Sequence, residues 1–233
     1  MGKVIAISGA AGGLGPIVAR AFLADGASLA VAGRSLDRLT DLLGSLGAPA
    51  ERCLATAADL SDPAAAKAWA EAVVKRFGRV DVVLHLVGGY KEGGSLADLP
   101  DADWNELHDM LIRTTMGVVR AFVEPLKAHA GRFISVTSPK AQAPNAKSAL
   151  YSMGKAASDA LVLALADELR GTGATANLLV VDSIDLPEAR GQEKKKAYGR
   201  STPAEQIAAA MLFLCSDQAA TINGVRLPLI GRG

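Results

Sequence analysis

Residues 3–15 read KVIAISGAAGGLG, a short apolar run followed by a glycine cluster. Lys3–Ser8 is aliphatic and β-branched and runs into glycine, the pattern of a strand buried on both faces. Pro16–Asp25 reads as a helix, with Pro16 in its first turn, where proline is tolerated, and Gly26 at its end. A strand, a glycine turn and a helix start in immediate succession suit a dinucleotide. Gly9, Gly13 and Gly15 permit a tight turn, close backbone approach to a pyrophosphate, and close helix packing. The helix start at Leu14–Pro16 offers amide groups and a positive dipole end to phosphates. A mononucleotide P-loop does not fit, because no Gly-Lys-Ser/Thr follows.

The same alternation continues outward. Ser28–Gly33 is a second apolar strand, and Leu36–Leu46 a helix with Ser35 as its candidate N-cap. Cys53–Ala57 is a weaker third strand. Asp62 caps a helix that runs to Phe77, with Trp69, Val73 and Phe77 as its inward stripe. Val80–Val87 is a fourth strand and Gly88–Pro100 a loop. Asp101–Ala130 is helical, with breaks expected near Gly117 and Pro125. Phe133–Thr137 is a fifth strand. Ser148–Arg170 is a long helix, apolar nearly all round, whose cover a second subunit would complete. Thr175–Val181 is a sixth strand, Asp185–Ser201 a polar loop, Pro203–Ser216 a helix and Val225–Ile230 a last strand. Strand and helix alternate throughout, without a composition break. The expectation is a single α/β domain over 1–233, a Rossmann-type doubly wound parallel sheet with helices on both faces.

Composition excludes several function classes. The chain carries 25 basic and 24 acidic residues, so bulk charge selects neither nucleic acid nor membrane. Half of its 233 residues are hydrophobic, enough for a sizeable core. No apolar run reaches transmembrane length, and the N-terminus is too short for a signal segment. Cys53 and Cys215 lie far apart in apolar settings, as reduced core or near-core residues do. A soluble cytoplasmic protein is expected. His85, His108 and His129 lack metal-ligand spacing, so no metal is expected. Lys194–Lys196 reads as a solvated loop. Trp104 reads as a packing anchor, and Met110, Met116 and Met153 as core or cleft lining, with facing away as the alternative for Met153, which lies between Tyr151 and Lys155.

Chemistry gathers at the strand ends. The second strand runs into Gly33-Arg34-Ser35. A carboxylate there would take a ribose 2′-hydroxyl; Arg34 instead can pair with a 2′-phosphate, and Ser35 can donate to it. NADP(H) is therefore preferred, with NAD(H) possible. Asp59-Leu60 can contact an adenine, and Gly88-Gly89 can let the backbone pass a cofactor. After the fifth strand comes SPKAQAPNAKSALYSMGK, residues 138–155. Tyr151 and Lys155 stand four apart, one turn along one helix face. A phenol is a poor acid or base at neutral pH, and a nearby ammonium lowers its pKa toward the working range. Ser138 could orient a substrate oxygen.

Taken together these residues resemble the short-chain dehydrogenase/reductase family, over Lys3 to Ile230. The resemblance rests on Gly9-x-x-x-Gly13-x-Gly15, Asp59-Leu60, Ser138 thirteen residues before Tyr151, Lys155, and the closing TPAEQIAAAMLFLCSDQAATINGVRLPL. It implies that Tyr151 exchanges a proton with the substrate oxygen, that Ser138 hydrogen-bonds that oxygen, and that Lys155 binds the nicotinamide ribose and tunes Tyr151. The substrate would be a small carbonyl or alcohol, and the assembly a homodimer or homotetramer.

Four departures from the family pattern stand out. Asn-Asn-Ala-Gly after the fourth strand is replaced by His85-Leu86-Val87-Gly88. The catalytic Asn, which holds a relay water for the Lys, is replaced by Leu111. Pro-Gly after the sixth strand is replaced by Val181-Asp182. The following Thr is replaced by Leu186, leaving the backbone of Ser183 and Ile184 to meet a carboxamide. The rival expectation is a catalytically weakened nucleotide-binding or regulatory protein. The intact Ser138, Tyr151 and Lys155 argue against it.

Overall fold

A computed structural model describes residues 2–187 and 201–230. The chain runs β1 (Val4–Ser8), α1 (Gly15–Ala24), β2 (Ser28–Gly33), α2 (Leu36–Ser45), β3 (Cys53–Ala57), α3 (Pro63–Phe77), β4 (Val82–His85) and α4 (Asp101–Leu107). A π-helical segment, His108–Arg113, leads into α5 (Thr114–Ala128). Then follow β5 (Arg132–Thr137), α6 (Ala149–Glu168), β6 (Thr175–Val181), β7 (Ser183–Asp185), β8 (Ser201–Pro203), α7 (Ala204–Leu214) and β9 (Arg226–Leu229). Seven strands form one parallel sheet in the order β3-β2-β1-β4-β5-β6-β9. The order reverses between β1 and β4, so their carboxyl ends open the crevice where such sheets bind ligands.

Each face of the sheet is covered. Ile5, Ile7, Leu29 and Val31 pack toward Phe22, Leu39, Ile207 and Met211, the side of α1, α2 and α7. Ala6, Ala30, Val83 and Phe133 pack toward Trp69, Phe122, Val162 and Leu165, the side of α3, α5 and α6. Trp69 meets Phe122 edge to face at 4.8 Å. Caps follow the expected chemistry: Ser35 accepts the Arg38 amide at 3.3 Å and Asp62 the Ala64 amide at 2.9 Å. At the sheet edge, Asn177 bonds both Ile222 O and Val225 N and so fastens the approach to β9 onto β6.

Several elements depart from expectation. The long helix does not break at Gly117 or Pro125; both lie inside α5. Pro125 removes one backbone donor, but Phe122 and Leu126 are fully buried beside it and carry the helix through. Gly117 is a close-approach residue instead, because a Cβ there would collide with the Leu60 carbonyl. The irregularity sits earlier, in the π segment. There Thr114 Oγ1 donates to Asp109 O, and Leu111 O accepts from both Thr115 Oγ1 at 2.5 Å and Ser158 Oγ at 2.6 Å. Hydroxyls competing for helix carbonyls widen the turn. The fourth strand is shorter than Val80–Val87, since only Val82–His85 finds ladder partners on β1 and β5. Phe77 is half-buried, not part of the sealed stripe. The segment expected to be loop throughout begins and ends in the small parallel pair β7–β8; Lys194–Lys196 lies outside the described residues. Of the two readings of Met153, facing away is the one met: it is 51 % exposed.

A buried polar chain ties the strand ends together. His85 Nδ1 lies 2.8 Å from Ser8 Oγ, and Nε2 lies 3.0 Å from Thr115 Oγ1. Thr115 spends its proton on Leu111 O, so Nε2–H donates to Thr115, and in the neutral ring that burial favours Nδ1 accepts from Ser8. Burial, reinforced by the Lys155 charge, pushes its pKa down to about 3. Ser8, His85 and Thr115 thus link β1, β4 and the π segment with one directed set of bonds.

Two predictions follow from these contacts. Gly44, in α2, has nothing near its missing Cβ, so Gly44→Ala should stabilise by about 0.5–1 kcal/mol. Gly117→Ala, with the same gain in helix propensity, should destabilise in urea titration; equal gains would contradict the packing. His85 has an ordinary pKa of 6.5 unfolded and about 3 folded. The unfolded chain therefore binds the extra proton first. The stability from keeping His85 neutral is whole above about pH 6.5 and is lost as pH falls. Its share between pH 6.5 and 5 is about 1.5 kcal/mol, and that slope should be missing in His85→Asn.

Candidate active site

The sheet assembles a cleft of about 540 Å³ at the carboxyl ends of β1, β2 and β4, lined among others by Gly9, Gly12, Arg34, Ser35, Asp59 and Gly88. Gly9, Arg34, Ser35, Asp59, Leu60 and Gly88, six of the twelve sequence-predicted cofactor-binding residues, therefore meet in one place. Gly9 has φ +74°, and a Cβ there would sit 2.9 Å from Val87 N. The turn after β1 can pass beneath the exit of β4 only as glycine. Gly15 lies against the Ala10 carbonyl and closes the first turn of α1 onto the loop. Gly13 faces Leu186, whose Cδ1 would be 2.6 Å from an added Cβ. Leu14 is buried at the start of α1.

The rim is basic. Arg34 is exposed at the end of β2. Arg38, one turn into α2, donates to Ala11 O at 2.7 Å and so holds a second guanidinium against the glycine loop. Arg38 was not read from sequence, although its spacing of four from Arg34 was visible there. Asp59 is turned on itself: Oδ1 accepts Ser61 N at 3.0 Å and Ser61 Oγ at 2.7 Å. Those bonds, with Arg34 and Arg113 nearby, hold its carboxyl below the usual range. Leu60 is buried in the core beneath it.

Beyond Gly88 lies the second group. β5 delivers Ser138, 4 % exposed, and α6 delivers Tyr151 and Lys155. Lys155 Nζ donates to Val136 O at 2.9 Å, and a Cβ on Gly88 would be 3.3 Å from it. The amine thus sits between the end of β5 and the floor of the cleft. Burial pulls its pKa down to about 8, against the pull of Asp159. Tyr151 differs from expectation: its pKa is raised, first by burial, while a hydrogen bond with Ser138 lowers it and Tyr90, Asp159 and Asp182 raise it. Lys155 is directed at a backbone carbonyl and does not dominate the phenol.

Two wall residues complete the geometry. The Tyr90 ring stands edge to face on Tyr151, with centroids 5.1 Å apart at 79°. Its loop is pinned by Gly93 N on Lys147 O at 2.7 Å and by Lys91 on Asp103 and Glu106. Ile184, in β7, packs with Leu186 against the core under the glycine loop. Leu111 is 1 % exposed and packs on Gly154, and its carbonyl is already taken by two hydroxyls. This position offers Lys155 no polar side chain. Among the described residues no group of three His, Cys, Asp or Glu side chains could hold a metal, and no helix is long and apolar enough to cross a membrane.

The similarities to known proteins run the length of this architecture. A family model described as enoyl-(acyl carrier protein) reductase matches residues 9–229. Meso-2,3-butanediol dehydrogenase of Serratia marcescens is 29 % identical over 237 residues, covering 98 % of this chain and 93 % of its own. The 3-oxoacyl-(acyl-carrier-protein) reductase FabG of Escherichia coli (strain K12) is 28 % identical over 245 residues, covering 99 % and 96 %. The crystal structure of 3-ketoacyl-(acyl-carrier-protein) reductase from Brucella melitensis complexed with NADH superposes with a TM-score of 0.86 at 26 % identity, over 98 % of this chain and 96 % of that one. With the match running from the glycine loop to the last strand of a sheet in this order, the chain belongs to the short-chain dehydrogenase/reductase family.

Proposed function

We propose that the chain is an NADP(H)-dependent oxidoreductase acting between a nicotinamide and a small carbonyl or alcohol substrate. Family membership supports an oxidoreductase that uses a nicotinamide cofactor. The observation that carries the finer reading is the placement of Ser138, Tyr151 and Lys155. They gather past the carboxyl end of β5, with Lys155 Nζ beside Gly88, which lines the cleft.

The chain fits such a cofactor. The turn at Gly9 and the start of α1 leave backbone amides beside the cleft, where a pyrophosphate would lie. Arg34 and Arg38 supply two guanidinium groups at the rim. Ser35 Oγ accepts the Arg38 amide and keeps its own proton to donate. These groups suit a ribose 2′-phosphate, and no carboxylate ends β2 to take a 2′-hydroxyl. When bound, the nicotinamide supplies or accepts the hydride at the carbonyl carbon.

The remaining chemistry falls to side chains. Tyr151 gives its phenolic proton to the substrate oxygen in reduction and takes it back in oxidation. Ser138, beside that phenol, holds the same oxygen. Lys155 keeps a positive charge below the cleft floor, where it orients a ribose and favours the phenolate left after proton transfer. Tyr90 shields one side of the phenol. The exposed row Met153, Ala156, Ala160 and Ala164 on α6 supports a homodimer or homotetramer covered along that helix. The rival reading, a weakened regulatory relative, draws on Leu111. Three catalytic side chains held in one place favour the enzyme.

Tyr151→Phe should lower kcat by about 10²–10⁴-fold and leave cofactor affinity within about twofold; undiminished turnover would remove the proposed acid. NADPH should bind more tightly than NADH by fluorescence titration. Arg34→Ala should cost NADPH roughly tenfold or more in affinity, as loss of a charged hydrogen bond does, and spare NADH. Equal losses for both would contradict a 2′-phosphate site.

A further inference from the structure

α6 carries Tyr151, Lys155 and Asp159 at successive four-residue intervals, so the three lie along one face, a turn apart. Asp159 is 1 % exposed. A carboxylate so deeply buried normally has all its oxygens engaged. Here Oδ2 takes Arg226 Nε, on β9, at 3.3 Å. Burial raises the Asp159 pKa, while Thr137 at the end of β5, Arg226 and Lys155 pull it back down.

The groups facing Lys155 can be taken element by element. β4 contributes His85, neutral and fully engaged. The π segment contributes Leu111, apolar, with its carbonyl occupied. β5 contributes the Val136 carbonyl. α6 itself contributes Tyr151 and Asp159. Around the phenol stand Tyr90 and Asp182, and behind Asp159 stands Arg226. Asp159 is therefore the carboxylate whose field sustains the Lys155 charge.

We propose that Asp159 is a positioning residue of this site: its carboxylate, paired with Arg226 and one helical turn from Lys155, supports the Lys155 ammonium where Leu111 contributes no polar side chain. The proposal rests on the catalytic reading of Lys155 given above. A buried Asp–Arg pair could also be a purely structural link between α6 and β9, and the two roles separate experimentally.

The test is Asp159→Asn, followed by NMR titration of the labelled Lys155 side chain and by the pH profile of kcat/KM for carbonyl reduction. The Lys155 midpoint, about 8 in the parent, should fall by about one pH unit or more. The alkaline limb of the profile should move to lower pH with it, so that activity is lost more at pH 8 than at pH 6. A lower melting temperature with midpoint and limb unmoved would mean a structural pair and overturn the proposal. A midpoint that falls while the limb stays would overturn the positioning role. Should Asp159→Asn not fold, Asp159→Asn/Arg226→Gln removes the pair without stranding a charge, and the same shifts are expected. The midpoint is read without turnover, so failure of the catalytic reading is seen separately, as full activity in Tyr151→Phe.

Discussion

Lys155 donates to the Val136 carbonyl from a side chain only 7 % exposed, and holding a charge in so little water constrains everything around it. An isolated buried ammonium tends to lose its proton. The chain answers by placing Asp159 one turn away and Arg226 behind that carboxylate. The same burial keeps His85 neutral on the other side, where a second cation would repel the first. With the imidazole neutral, Nδ1 accepts from Ser8, whose hydroxyl also faces the Leu84 carbonyl at 3.4 Å.

Backbone geometry makes this cluster possible. Lys155 reaches the cleft because Gly88 has no side chain above it, and α6 approaches the π segment because Gly154 leaves room for Leu111. Leu111 O, bonded by Thr115 and Ser158, locks the widened turn to α6. An apolar residue at this position therefore does not loosen the site. It moves the polar support for Lys155 from the π segment to the next turn of α6.

Much of this was legible in the sequence. β2 and β6 have the boundaries their apolar runs suggest, because strands buried on both faces leave little choice of register; the half-buried edge strand β3 also runs over Cys53–Ala57. The glycine loop, Arg34, Asp59, Gly88 and Lys155 come together as expected because each follows a strand end in a parallel sheet. What escaped depends on partners distant in sequence. The π turn needs Ser158 from another helix. Gly117 looks like a helix breaker until the Leu60 carbonyl is seen against it. Asp159 reads as a polar residue on a helix until Arg226 and Lys155 are found on its buried side. Arg38 and Tyr90 gain meaning only once Ala11 and Tyr151 lie beside them.

The central claim is that this cluster positions a carbonyl at the end of the cleft so that a bound nicotinamide gives it a hydride and Tyr151 gives it a proton. The most direct measurement supplies NADPH carrying deuterium at both nicotinamide C4 positions with a panel of ketones and aldehydes and follows the alcohols by mass spectrometry. The account predicts an alcohol one mass unit heavier, with the deuterium on the former carbonyl carbon. Bound NADPH with no labelled alcohol from any member of the panel would contradict it and favour a nucleotide-binding regulatory protein.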